Sequence, residues 1–176
     1  LVVAVIAGTV PSSVAFSGFG HPATVIVALV LIVSRGLSNS GAVELLARYV
    51  VSSTRPLVVH IGLMSGVGAV LSAVMNNVAA LALLMPIDSE AATRAQRGPA
   101  LTLMPLSFAT ILGGMVTMIG TPTNIVIATF RGDALGKPFA MFDFAAVGGI
   151  VALVGIVFVT LVGWRLLPKA RSQRNS

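Results

Sequence analysis

Two polar clusters interrupt otherwise apolar stretches of this sequence, and they hold most of its usable chemistry. The first is Met75-Asn76-Asn77, with Ser72 just before it and Val78 just after. The second is Gly120-Thr121-Pro122-Thr123-Asn124. Hydroxyls, side-chain amides and backbone carbonyls freed where a helix breaks are neutral oxygen ligands, which suit a hard cation such as sodium. The start of a half-helix offers free N–H groups and a positive dipole end, which favour an anion. Half-helix C-termini and unwound carbonyls favour the cation. Both together are the local chemistry of a site near the membrane midplane in a secondary transporter. A single Asn in a membrane helix is usually interhelical glue worth about 0.6–2 kcal/mol. Adjacent Asn residues at a hairpin tip, with a second broken helix alongside, point to a site instead.

Other chemistries lack their parts. The chain has no cysteine, so disulfides, thiolate metal sites and a Cys nucleophile are excluded. No Asp or Glu lies within any long apolar block, and proton relays through membranes use such carboxylates or His. His60, near the hairpin entrance, and His21, by a loop, are expected to be hydrogen-bonded or interfacial. Asp88 and Glu90 with Arg94 and Arg97 read as a solvated surface segment, and Asp133 and Asp143 as solvated flanks of an external loop. Ser65-Gly66 beside His60 lacks the Gly two residues before the Ser that an intramembrane Gly-x-Ser-Gly nucleophile motif requires; Leu63 stands there. An enzyme is not expected, and no cofactor beyond a coupling ion, with sodium favoured.

The elements that position these clusters follow from composition. Of 176 residues, 56% are hydrophobic and 9% charged, and mean hydropathy is +1.01. A soluble domain carries roughly a quarter charged residues, so the chain reads as an all-α integral membrane protein. The net charge of +6 sits between apolar blocks and is read as membrane orientation, not as a nucleic-acid footprint. Residues 1–34, 56–87, 98–130 and 144–164 contain no Asp, Glu, Lys or Arg. The start, Leu1 inside an apolar run, and the basic end, Arg165 to Ser176, lead to the expectation of a fragment.

Within these blocks, 1–10 reads as the end of one span and 22–36 as the next, opened by Pro22. Residues 41–54 read as an amphipathic interfacial helix, Val43, Leu46 and Val50 opposing Glu44 and Arg48. Residues 144–165 form the plainest span, with Trp164 as its interface anchor. Gly62-x-x-x-Gly66 is expected to serve close helix packing. Two blocks are interrupted. In 57–86 a helix to about Ser72 meets the Asn pair, and a second piece, Ala79 to Met85, ends near Pro86. At 1.5 Å per residue these pieces span roughly 24 and 13 Å, short of a hydrocarbon core of about 30 Å. The block is either one kinked crossing or a re-entrant hairpin. In 98–130 a helix runs to about Ile119, and the break falls at 120–124, where Pro122 frees nearby carbonyls.

Charge counting separates the two topologies. With 57–86 as a hairpin, nine basic residues share one face and two the other; with a crossing the split is five to six. A marked positive-inside bias therefore favours the re-entrant hairpin, its mouth cytoplasmic.

The stretch Ser72-Ala-Val-Met-Asn76-Asn77-Val78 through Pro86, with Ser107 to Asn124 (SFATILGGMVTMIGTPTN), resembles the divalent anion:sodium symporter family, citrate transporter-like, of the ion transporter superfamily. Its hairpin signature usually reads Ser-Asn-Thr before small residues and Leu-Pro. Its next segment ends Gly-Thr-Pro-Pro-Asn. The resemblance implies half of an inverted-repeat transporter in a cytoplasmic membrane, multi-pass and usually homodimeric, moving a small anion by an elevator-like motion. A C-terminal repeat would complete it. By the same resemblance, Ser72, Asn76, Asn77, Gly120 and Asn124 would serve a sodium site. Asn76, Asn77, Val78, Thr121 and Pro122 would meet the substrate. Asn76 stands where the family often has Ser, Val78 where it often has Thr, and Thr123 replaces the second Pro. Val78 cannot donate a hydrogen bond, which makes a dicarboxylate a less secure expectation than an anion. An arsenite-efflux or sodium/proton-antiporter relative of the same superfamily is the alternative.

Overall fold

The computed structural model describes residues 1–41 and 55–167. The expected interfacial helix at 41–54 lies outside the described residues apart from its first position. Those described form seven α-helices and no strand: α1 (Val2–Ile6), α2 (Pro22–Asn39), α3 (Leu57–Val74), α4 (Asn77–Arg94), α5 (Ala100–Gly114), α6 (Pro122–Leu135) and α7 (Ala145–Leu161). A short 3-10 turn at Ser17–Gly20 lies between α1 and α2, and another at Gly163–Leu166 follows α7.

Helix α3 is the centre. It packs against α4, α5 and α7, while α2 touches α6 and α4. Its partner α4 folds back along it. His60, in the first turn of α3, and Asp88, three turns into α4, are hydrogen-bonded at 2.7 Å between Nε2 and Oδ1. A single kinked crossing would carry these residues to opposite ends. Instead the arms are antiparallel, with Met75 and Asn76 as the turn. Between the ends, Met64, Leu84 and Leu106 form one buried cluster shared by α3, α4 and α5. Met75 and Ala80 form a second at the tip.

The arms are longer than the sequence reading has them. Each has 18 residues, about 27 Å. The second arm does not stop at Pro86 but carries it inside the helix and continues to Arg94. A proline removes one hydrogen bond and crowds the preceding turn. Here the stripe Leu84, Asp88, Ala91 and Ala92 is buried against the neighbouring helices on both sides of it, and that packing holds the helix through the defect. The apolar part of α4, residues 77–87, spans only about 16 Å. Among the described helices, Leu57–Val74 is the one long and apolar enough to cross a membrane by length and composition; 22–36, α5 and α7 are shorter apolar helices.

The same continuation corrects the reading of Asp88. It is not solvated: it is fully buried, four residues after buried Leu84 on the same face. Glu90 and Arg94, also four apart, do pair on the exposed side.

The close seam of the fold is made by small residues. A Cβ on Gly113 would lie 2.2 Å from the Ala69 carbonyl oxygen, so α3 and α5 touch backbone to backbone there. Of Gly62-x-x-x-Gly66, only Gly62 faces a neighbour, the Thr160 side chain of α7; Gly66 faces open space.

Side chains are distributed in the reverse of a soluble domain. Ser65, Ser72, Asp88, Thr102 and Thr110 are buried, while Ile32, Val33, Val147 and Ile150 are each about two-thirds exposed or more. Apolar faces of this extent need an apolar surrounding or a protein partner.

Candidate functional site

The two interruptions meet beside α3. At the tip, the α3 ladder ends with the Met75 N–H bonded to the Leu71 carbonyl (2.8 Å). Met75 is extended (φ −122, ψ 162), so the carbonyls after Leu71 lie past the last helical bond. Asn76 then starts α4 as its N-cap, its Oδ1 accepting from the Val78 N–H at 2.9 Å. Asn77 is the first residue of α4. Its side-chain amide is partly exposed and has no hydrogen-bond partner among the described residues.

The second interruption lies earlier than the sequence reading places it. Helix α5 ends at Gly114, not near Ile119, and residues 115–121 form the irregular segment. Pro122 does not break a helix; it is the first residue of α6, after extended Thr121. At that position its missing N–H costs nothing and its fixed φ is helical. Two glycines in succession weaken the end of α5, and their contacts with α3 then set the path. Accordingly α6 is a full 14-residue helix, ended by Gly136 in the left-handed region (φ 68), and not the short piece 125–130.

Ser72, Gly114 and Gly120 converge. A Cβ on Gly120 would lie 2.5 Å from the Gly114 carbonyl oxygen and 2.9 Å from that of Ser72. One on Gly114 would lie 2.9 Å from the Gly120 carbonyl oxygen and 3.2 Å from Ser72 Oγ. Only glycine fits at either place. The buried Ser72 hydroxyl donates to the Thr110 carbonyl and keeps its lone pairs. Two carbonyl oxygens thus pack against Gly120, and a carbonyl and the Ser72 hydroxyl against Gly114; all four are uncharged oxygens, the ligand type a hard cation takes.

Thr117 and Asn124 hold the segment in place. The Thr117 hydroxyl donates to the Ala73 carbonyl and accepts from the Gly120 N–H at 3.1 Å. Asn124 Nδ2 donates to the Thr117 carbonyl at 2.9 Å and, more weakly, to that of Met115 at 3.5 Å. Met118 N–H bonds to the Met141 carbonyl (3.0 Å). From α7, Gly148 presses on the Met115 carbonyl, which a Cβ there would approach to 2.4 Å.

The starts of α4 and α6 open onto one narrow cleft. Asn76 and Pro122 line it with Ile119 and Ile125, and Val27, Val30 and Leu31 of α2 close its apolar side. The first residues of α4 and α6, at the positive ends of their dipoles, thus border this narrow and mainly apolar crevice.

The expected residues separate by what they do. Ser72 and Gly120 are in contact; Asn76 and Pro122 share the cleft; Thr121 supplies the extended residue before α6. Asn77 lies at the tip, its amide without a hydrogen-bond partner among the described residues. The Val78 side chain points outward, 68% exposed. Asn124 spends its amide nitrogen on the loop. The sequence reading does not name Thr117 or Gly114. A pair of glycines just ahead of a threonine, within a stretch otherwise read as helix, is the signal that could have found them.

At the far end of the hairpin, His60 is hydrogen-bonded as expected, but to a buried carboxylate. Asp88 Oδ2 has no partner among the described residues, and neither has the buried Ser65 hydroxyl.

Comparison with known proteins gives the family. The citrate transporter family matches residues 1–175. An uncharacterized transporter of Synechocystis is 33% identical over 175 residues, which cover 97% of this chain and 28% of that protein. A probable sodium/sulfate cotransporter 3 of Chlamydomonas reinhardtii is 36% identical over 163 residues, 88% of this chain and 18% of that protein. Sodium/sulfate cotransporter 1 of the same alga is 34% identical over the same length. The chain thus spans under a third of the curated relatives it matches. No solved structure matches it. With buried hydroxyls inside, apolar faces outside and a family match along residues 1–175, this chain belongs to the citrate transporter family, whose members are integral membrane transporters and not enzymes.

Proposed function

We propose that the protein containing this chain is a sodium-coupled transporter of a small oxyanion, with sulfate the first candidate. The observation that carries the reading is the meeting of the two interruptions: Ser72, Gly114 and Gly120 oxygens on one side, and the starts of α4 and α6 on the other. Sodium would sit among the Ser72, Gly114 and Gly120 oxygens, with Asn76 and Asn77 closing the site from the tip. Asn124 would act by fixing the carbonyls of the segment. The anion would bind at the starts of α4 and α6, with Asn76, Asn77, Val78, Thr121 and Pro122 around it; the Val78 N–H, held by Asn76 Oδ1, would have to be released to reach it. A bound cation beside this space would offset the anion's charge, so each ion would strengthen binding of the other.

Names of relatives favour sulfate: cotransporters 1 and 3 of Chlamydomonas are both called sodium/sulfate cotransporters. The family description favours citrate. Val78 withholds the side-chain donor that Thr supplies at this place from either anion, so the names of the relatives carry the choice of sulfate. We further place 57–86 as a hairpin entering and leaving on the cytoplasmic side of a multi-pass protein, paired with a second repeat in a homodimer. The repeat would move as a body in an elevator-type cycle.

The test is uptake into proteoliposomes holding the full-length protein. Radiolabelled sulfate should accumulate under an inward sodium gradient, and unlabelled sulfate should compete better than citrate or succinate. Uptake driven equally well by a potassium gradient would refute sodium coupling. Uptake of arsenite outward, or sodium exchange for protons without an anion, would favour the antiport alternative.

A further inference from the structure

We infer that Thr117 is the positioning residue that sets sodium affinity, by joining the end of the hairpin's first arm to the Gly120 peptide. The inference rests on the sodium site proposed above.

Helix α3 runs out at Val74, which leaves its last carbonyls without helical partners. The Ala73 carbonyl is taken by the Thr117 hydroxyl. The same oxygen accepts from the Gly120 N–H at 3.1 Å. One buried hydroxyl, on a residue 4% exposed, therefore spans both interruptions. It uses its single donor on the hairpin and an acceptor lone pair on the broken segment.

The consequence is geometric. Gly120 is held on one face by the Ser72 and Gly114 carbonyls. Its N–H belongs to the Ile119–Gly120 peptide, and the Thr117 bond fixes that plane on the other. With the Gly120 Cα so held, the carbonyl that follows keeps its place against Gly114, and the oxygens stay spaced for a cation before it arrives. Without the hydroxyl, a buried carbonyl and a buried N–H lose their partner together, and both peptides are free to turn toward other partners. Ligand geometry set in advance is the part of affinity that such supports supply. The tip's own polar group, the Asn77 amide, is left untouched. Sodium binding should suffer more than anion binding.

Full-length protein in proteoliposomes gives the test, with sulfate uptake measured against sodium concentration. Thr117→Val keeps the shape and removes the hydroxyl. The sodium concentration for half-maximal uptake should rise about tenfold, while the KM for sulfate at saturating sodium should move less than about threefold. Thr117→Ser keeps the hydroxyl and should stay within about twofold of the parent. Thr129→Val is the control: its hydroxyl only bonds back to the Ile125 carbonyl of its own helix (2.9 Å), so the sodium curve should not move. If Thr117→Val fails to fold, Thr117→Cys, a weaker donor of similar size, should give an intermediate shift. The rise in melting temperature of purified protein with added sodium should follow the same order, Thr and Ser above Cys and Val. An unmoved sodium curve in Thr117→Val or Thr117→Cys, beside a sodium-dependent parent, overturns this inference alone. An equal shift in Thr117→Ser overturns it as well. A parent whose uptake ignores sodium removes the site itself, and this inference with it.

Discussion

The hairpin tip and the broken segment interrupt their helices in different ways. The tip is two residues long, Met75 and Asn76, and one side-chain bond, from the Val78 N–H to Asn76 Oδ1, restarts the helix. The broken segment is seven residues, 115–121, and is tied down by Thr117, Asn124 and Met118. At the tip a polar side chain, the Asn77 amide, is left unused. In the segment Thr117 is spent on backbone, as is Asn124 from α6, and what remains for a ligand is carbonyl oxygen and the Thr121 hydroxyl. The difference teaches that one interruption can offer groups to a ligand because the other has been made rigid. Damage to the segment should therefore appear first as lost stability, and damage to the tip as lost binding in a protein that still folds.

Substitutions that sharpen or break this contrast can be ranked. Gly120→Val is the most severe. Its Cβ alone would stand 2.5 Å from one backbone oxygen and 2.9 Å from another, and neither can retreat without moving α3 or α5. A loss above about 4 kcal/mol is expected, read as failure to recover monodisperse protein in detergent. Asn124→Ala comes next. It strips the Thr117 carbonyl of its donor in a buried place and should cost about 1–3 kcal/mol. The melting temperature should fall while residual uptake keeps its sodium dependence. If Asn124→Ala instead left the melting temperature unchanged and abolished sodium dependence, its side chain would be a ligand and the contrast would fail. Thr123→Pro is the mildest. Thr123 is exposed in the first turn of α6, where a proline lacks only an N–H that has no helical partner. The change should stay within about 0.5 kcal/mol and retain uptake.

How far the sequence carries depends on the residue. Asn76-Asn77 is legible, because two adjacent amides inside an apolar block have no cheaper explanation than a helix end. The pairing of Ser72 with Gly120 comes only through family resemblance, since nothing local to residue 72 says which carbonyl lies opposite. Asp88 is misread because Pro86 looks like a stop. Whether a proline ends a helix depends on the packing beyond it, and Ala91 and Ala92, buried one turn on, keep the helix going. The second interruption is misplaced for the converse reason. Pro122 looks like the breaker, but a proline at a helix start is favourable, and the helix has already ended at Gly114. For Thr117 the glycine pair ahead of it marks the break, but not which carbonyl its hydroxyl reaches. A threonine bonded across to another helix and one bonded back to its own, such as Thr129, have the same local pattern.

The mouth of the hairpin adds a second contrast with its tip. His60 and Asp88 tie the arms together as a buried pair of ionisable side chains, whereas the tip carries no ionisable side chain. The sequence argument against proton chemistry rested on carboxylates being absent from the apolar interior, and Asp88 removes that support. The proposed sodium coupling therefore rests on the oxygens around Ser72 and Gly120 and on the names of relatives.

The most direct measurement is sodium-driven sulfate uptake by the full-length protein carrying Asn77→Ala, compared with the parent at equal reconstituted amounts and with melting temperatures recorded for both. The account predicts uptake reduced by more than about tenfold, as when a polar group that meets the ligand is removed, with a melting temperature close to the parent's. Parent-like uptake would show that the free amide at the tip holds nothing, and would contradict the account.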